Sequence, residues 1–125
     1  MNPIIDVQFA EIKKLYKDST MQNLPGGSFL VQVPEVTLPD GWNQNKTTIW
    51  FVIPVGYPIA KPDCFWVDRD LRLKNGTMPI NTSHTPMPSG TIELWFSWHS
   101  TKWNPNTDDL LTYMHMAKMR LRELR

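Results

Sequence analysis

The sequence predicts an α+β domain with a helix at each end and, between them, an antiparallel meander of about four strands followed by a long loop. Three observations carry this. Apolar residues recur at helical spacing in both terminal segments. Thr47–Val55 places Ile49, Phe51 and Ile53 on one side of an extended chain and Thr48, Trp50 and Val52 on the other, the pattern of a central strand covered on both faces. Pro54, Pro58 and Pro62, with Gly56, then stiffen the chain into an elbow before Cys64–Val67 resumes a β-rich run.

In the first helix, expected over Pro3–Ser19, Asn2 caps a start at Pro3, and Ile5, Phe9, Ile12 and Tyr16 form the buried stripe. Leu24-Pro25-Gly26-Gly27 cannot continue it. Phe29–Val33 reads as a first strand and Val36–Leu38 as a second, ahead of the turn Pro39-Asp40-Gly41. Trp42–Lys46 reads as a polar connection into the central strand. Arg69–Gly90, with Asn75-Gly76 and few apolar positions, reads as a long surface loop holding at most one helical turn at Asp70–Leu73, and loops of this length often carry binding or chemistry. Thr91–Trp98 is either a short strand or an extended cover on the sheet. Leu110, Met114, Ala117, Leu121 and Leu124 form the stripe of a terminal helix, with Asp108 and Asp109 at its start and basic residues at its end.

At 125 residues the chain suits one domain, 1–125. Thirteen basic residues against twelve acidic ones leave +1, which favours neither nucleic acid nor an anionic membrane surface. The basic cluster Lys118–Arg125 reads as a helix end complementing its dipole. A lone cysteine precludes an internal disulfide, and no leader or membrane span is evident, so a cytoplasmic protein is expected. The tryptophans at 50, 66, 95, 98 and 103 read as core and elbow anchors. No histidines and thiols or carboxylates stand at metal-ligand spacing, so no metal site is expected, and no glycine pattern fits a phosphate loop.

The order of motifs resembles the ubiquitin-conjugating (E2, UBC) fold. Tyr57-Pro58, Pro62 and Phe65 are similar to that family's Tyr-Pro-x-x-x-Pro elbow. Trp103-Asn104-Pro105, followed by Thr107 and Leu110-Leu111, is similar to its Trp-Ser-Pro before the crossing helix. More narrowly, Asp63–Asp68, Asp70–Leu73, Phe96–His99 and Trp103–Asp108 resemble prokaryotic E2 family E. The resemblance spans Ile4 to about Leu121. It implies work beside a ubiquitin-like protein, an E1-like adenylating enzyme and a JAB-type isopeptidase, with no cofactor, and a chain lacking the further C-terminal helices of eukaryotic E2 enzymes. It also implies Tyr57, Pro58, Trp98, Trp103 and Pro105 as binding residues.

Such an enzyme needs a cysteine to take an acyl group from E1. In the family it lies between a His-Pro-Asn motif and the Trp-Ser-Pro, yet His84–Trp103 holds no cysteine, and Glu93 falls where the nucleophile would sit. His84-Thr85-Pro86 is a degraded counterpart of the histidine motif. This favours a non-catalytic, binding variant of the fold. Cys64, the only thiol, reads either as a small buried hydrophobe or as a relocated thioester nucleophile needing a cationic neighbour such as Lys61, His84 or His99. His99, before the Trp-Asn-Pro corner, reads as a histidine bonded to the loop or as a general base. His115 reads as a solvated helix residue. A third reading is a structural protein with an E2-like shape.

Overall fold

A computed structural model describes residues 3–99 and 102–125; the expected cap at Asn2 lies outside them. The elements in order are α1 (Pro3–Leu15), β1 (Thr20–Asn23), β2 (Phe29–Thr37), β3 (Lys46–Ile53), β4 (Phe65–Val67), β5 (Thr82–Pro86), β6 (Ile92–Phe96) and α2 (Leu110–Leu121). The strands form one antiparallel sheet in the order β1-β2-β3-β4-β6-β5. The helix–sheet–helix plan is as expected, but the strands number six rather than four.

Two expected strands are one. Phe29–Thr37 runs as a single strand with a register shift between Val33 and Val36, where Glu35 adopts φ 60°. That is a β-bulge, and it keeps Val33 and Val36 both buried although they are three apart. The segment expected as an irregular loop contains β5, and no helical turn forms at Asp70–Leu73. Leu71 is fully buried, and Leu73 bridges to Trp42, so this stretch is tied to the body. Thr91–Trp98 contributes a true interior strand, β6, between β4 and β5. The first helix ends at Leu15, four residues early, and Thr20–Asn23 adds an edge strand.

Both helices cover one face of the sheet. Ile49, Phe51 and Ile53 of β3 are buried there, in one cluster with Ile5 and Ile12 of α1 and with Leu110, Tyr113, Met114, Ala117 and Leu121 of α2. Each fully buried large side chain contributes about 1.5–3 kcal/mol, so the helix stripes and the strand residues they cover together hold the core. The opposite face is the more open one, with Thr48, Trp50 and Val52 only half-buried, contrary to the two-sided reading of β3. It is paved by the indoles of Trp50, Trp66 and Trp95, which stand in one lateral row because Trp50 pairs with Trp66 and Trp66 with Trp95. Two of these rings are tied to other strands: Trp50 Nε1–H donates to Gln32 Oε1 on β2 (3.1 Å) and Trp66 Nε1–H reaches past β6 to the Thr85 carbonyl on β5 (3.1 Å).

Trp42 is also a correction. It sits in an otherwise polar connection but is buried, and its Nε1–H donates to the Leu121 carbonyl (2.7 Å), satisfying an acceptor at the C-terminal end of α2. The basic tail holds a buried cation, Arg120, whose guanidinium donates to the carbonyls of Glu123 (3.0 Å), Arg125 (3.0 Å) and Ile80 (3.2 Å) and lies over the Phe96 ring. Burial, reinforced by Arg125 and opposed by Glu123, lowers its pKa from the ordinary arginine value. Leu124, assigned to the helix stripe, lies beyond the helix and is half exposed. No helix among the described residues is long and apolar enough to cross a membrane.

Candidate functional site

The site is built where the elbow, the start of β4 and the segment after β6 meet. Tyr57, preceding a cis Pro58, is buried, and its hydroxyl donates to Gln8 Oε1 on α1. The same oxygen accepts the Leu110 N–H (3.2 Å), one of the unpaired donors at the start of α2. A single amide thus joins α1, the elbow and α2. The start of α2 is fixed by a capping box, Asp109 accepting the Thr112 N–H (2.9 Å) while Thr112 Oγ1 accepts the Asp109 N–H (3.2 Å). Asp109 is therefore the N-cap rather than a first-turn residue.

The two sequence corners touch. Trp103 Nε1–H donates to the Pro58 carbonyl (2.7 Å), and the Tyr57 and Trp103 rings lie 6.0 Å apart. Asn104 turns the chain toward α2 by donating its N–H to Asp108 Oδ2 (2.8 Å) and accepting the Asn106 N–H at Oδ1 (2.9 Å). Trp98 packs edge-on against Phe65, 6.2 Å between centroids. Of the five residues implied as binding residues, Pro105 is exposed, Pro58, Trp98 and Trp103 are half-buried, and Tyr57 is buried.

Cys64 and His99 come together, although 35 residues separate them in the chain, because β4 pairs with β6 through Phe65 and Phe96. One step beyond that pair the Cys64 N–H donates to the Trp98 carbonyl (3.0 Å), and His99 Nδ1 lies 2.8 Å from Asp63 Oδ1. Cys64 Sγ, a ring nitrogen of His99 and a carboxylate oxygen of Asp63 all lie within 4.8 Å of one another. Asp63 was not singled out in the sequence; its position next to Cys64 was the only hint. Cys64 is 8% exposed and adopts φ 61°, the left-handed region a residue with a Cβ rarely enters. Its carbonyl is held by the hydroxyl of the fully buried Tyr113. His84, the alternative neighbour for Cys64, is held on β5 with Nε2 3.0 Å from the Arg69 carbonyl. Glu93, which the sequence reading set against the family nucleophile, accepts the Arg69 N–H (3.0 Å). His115 is exposed on α2.

Burial pushes the Cys64 thiol above its ordinary 9.0, with Asp63 adding to the rise and the Trp98 backbone hydrogen bond opposing it. Burial likewise raises Tyr113 above 10.0, aided by Cys64 and Asp63, and raises Tyr57, aided by Asp109 and Asp108. Each raised group stays protonated in the fold while its unfolded counterpart ionises. The stability they protect is therefore complete below about pH 8 and is lost as pH rises, at up to about 1.4 kcal/mol per pH unit per group. Urea midpoints should be level from about pH 7 to pH 8 and fall above about pH 9. The first part of that fall should disappear in Cys64→Ala.

No curated protein and no solved structure matches the chain. A match to the family described as prokaryotic E2 family E runs over residues 5–123, from α1 through the elbow, the tryptophan corner and the whole of α2. With that extent, the chain belongs to prokaryotic E2 family E.

Proposed function

We propose that this chain is an E2-like component of a bacterial ubiquitin-like conjugation system, built as one UBC-type domain, that acts by binding a ubiquitin-like protein, an E1-like adenylating enzyme, or both. The observation that carries this reading is the state of the only thiol. His84–Trp103 holds no cysteine, and Cys64 lies buried with its pKa raised, so it does not rest as the thiolate that acyl transfer requires. The bonded elbow and tryptophan corner supply a rigid surface, with Ile59 83% exposed on the elbow and Pro105 exposed on the corner. Calorimetry against E1-like and ubiquitin-like proteins from the same source should show saturable binding to at least one. Absence of heat with either, for folded partners at concentrations well above micromolar, removes the reading. A JAB-type isopeptidase would act on the same ubiquitin-like protein downstream.

The Asp63–His99 pair beside Cys64 favours a second reading, an active transferase. An Nδ1–H donated to Asp63 leaves Nε2 of His99 as the basic nitrogen. It would take the Cys64 proton as sulfur attacks the thioester carbonyl carried by the E1-like enzyme, whose own thiolate leaves. Incubation with the E1-like enzyme, ATP and the ubiquitin-like protein would then give a reductant-sensitive adduct absent from Cys64→Ser. Transfer that persists in Cys64→Ser eliminates this mechanism.

A further inference from the structure

We propose that Asp63, Cys64 and His99 form a binding site for a zinc-class divalent cation. This goes beyond both functional readings and does not depend on either, since the ion would be held whether or not a ubiquitin-like partner is present. Spacing along the chain hides the site; the β4–β6 pairing assembles it.

The donor set is the first argument. A thiol, an imidazole and a carboxylate converge with one ligating atom each, all within 4.8 Å of one another. In a tetrahedral zinc site, metal–ligand bonds of about 2.0–2.3 Å put neighbouring donor atoms about 3.5 Å apart. The widest pair, at most 4.8 Å, would close by about an ångström, while His99 Nδ1 and Asp63 Oδ1, hydrogen-bonded at 2.8 Å, would part by somewhat less as the ion replaces that bond. Mixed sulfur, nitrogen and oxygen donors suit zinc and its spectroscopic stand-in cobalt, and do not suit magnesium or calcium, which take oxygen.

The second argument is which donors must move. The backbone that carries the sulfur is fixed: the Cys64 N–H is held by Trp98 and its carbonyl by Tyr113. Asp63 and His99 have side chains 44% and 61% exposed, so they can rotate about a cation without disturbing the core. Three protein ligands leave a fourth position for water or an incoming donor. Binding requires the thiol to release its proton to solvent and the imidazole to be neutral, so affinity should rise with pH.

The test is titration of the reduced, chelator-treated full chain with Co²⁺, followed by competition with Zn²⁺. Expected are one equivalent of Co²⁺ bound, a thiolate-to-cobalt charge-transfer absorption in the near ultraviolet, and loss of that band when Zn²⁺ displaces the cobalt. Cys64→Ser should abolish the band. Because Cys64 is buried and that variant can lose its fold, the exposed positions carry the decision: His99→Gln and Asp63→Asn, checked as folded by circular dichroism, should each weaken binding at least about tenfold. A charge-transfer band absent from the wild-type chain, His99→Gln binding Co²⁺ as tightly as wild type, or an affinity that does not change with pH would each overturn the proposal.

Discussion

Trp103→Ala is expected to destabilise the protein by about 3 kcal/mol and to loosen the elbow selectively. The indole is half-buried against the core cluster, and truncating a packed tryptophan costs about 3–5 kcal/mol when burial is complete. Incomplete burial brings the figure to the lower end. The loss has a second part. The Pro58 carbonyl accepts from Trp103 Nε1–H at 2.7 Å, and without that donor it must find water. Trp103→Phe separates the two parts, keeping most of the ring and removing the donor, and should cost about 1–2 kcal/mol. Urea unfolding of both variants gives the totals. Amide exchange should show the excess opening at the elbow amides of Tyr57 and Ala60, whose hydrogen bonds to Pro54 and Gly56 hold the turn. Equal losses for alanine and phenylalanine would mean that the hydrogen bond alone holds the corner.

Arg120→Met should cost a similar amount, about 2–3 kcal/mol, through a different mechanism. Methionine replaces the aliphatic stem, so packing is nearly conserved. What disappears is a cation serving three backbone carbonyls in two places: Glu123 and Arg125 just after α2, and Ile80 just before β5. Hydrogen bonds to charged groups are worth about 1.5–3 kcal/mol where the acceptor stays dry, but the tail carbonyls can turn to solvent, so the sum is not three full bonds. The contact over Phe96, 5.0 Å from guanidinium carbon to ring centre, goes as well. Thermal melts give the total. Limited proteolysis should show the 77–81 segment and the C-terminal residues cut earlier than in wild type, while cleavage at α1 is unchanged.

Both residues illustrate how the sequence could and could not be read. Trp103 was legible because it stood in a motif with Asn104 and Pro105 ahead of a helical stripe. Arg120 sat among Lys118, Arg122 and Arg125, where position along the chain distinguishes nothing; only the return of the 80–81 segment against α2 makes one of them internal. The strands divide the same way. β3 announced itself through Ile49, Phe51 and Ile53. β1, Thr-Met-Gln-Asn, and β5, Thr-Ser-His-Thr-Pro, are edge strands with mostly exposed side chains, so the alternation that reveals a half-buried strand is missing from them. The early end of α1 was hidden because Tyr16 continues the stripe after the helix has stopped; its N–H still reaches the Ile12 carbonyl at 2.8 Å. Cys64 and His99 were singled out one at a time from residue type, but Asp63 and Gln8 were not, since each is bonded to a partner at least 36 residues away and chain spacing says nothing about such pairs.

The backbone at Cys64 bears on which residues this position can accept over many generations. A left-handed φ at a residue with a Cβ costs roughly 1–2 kcal/mol, a penalty glycine avoids and asparagine partly avoids. If the sulfur were only filler, a saturation library selected for folding alone should drift to glycine and asparagine at position 64, with alanine and valine rare. A selection that instead returns cysteine, against a cheaper backbone choice, would identify the thiol itself as what is being kept.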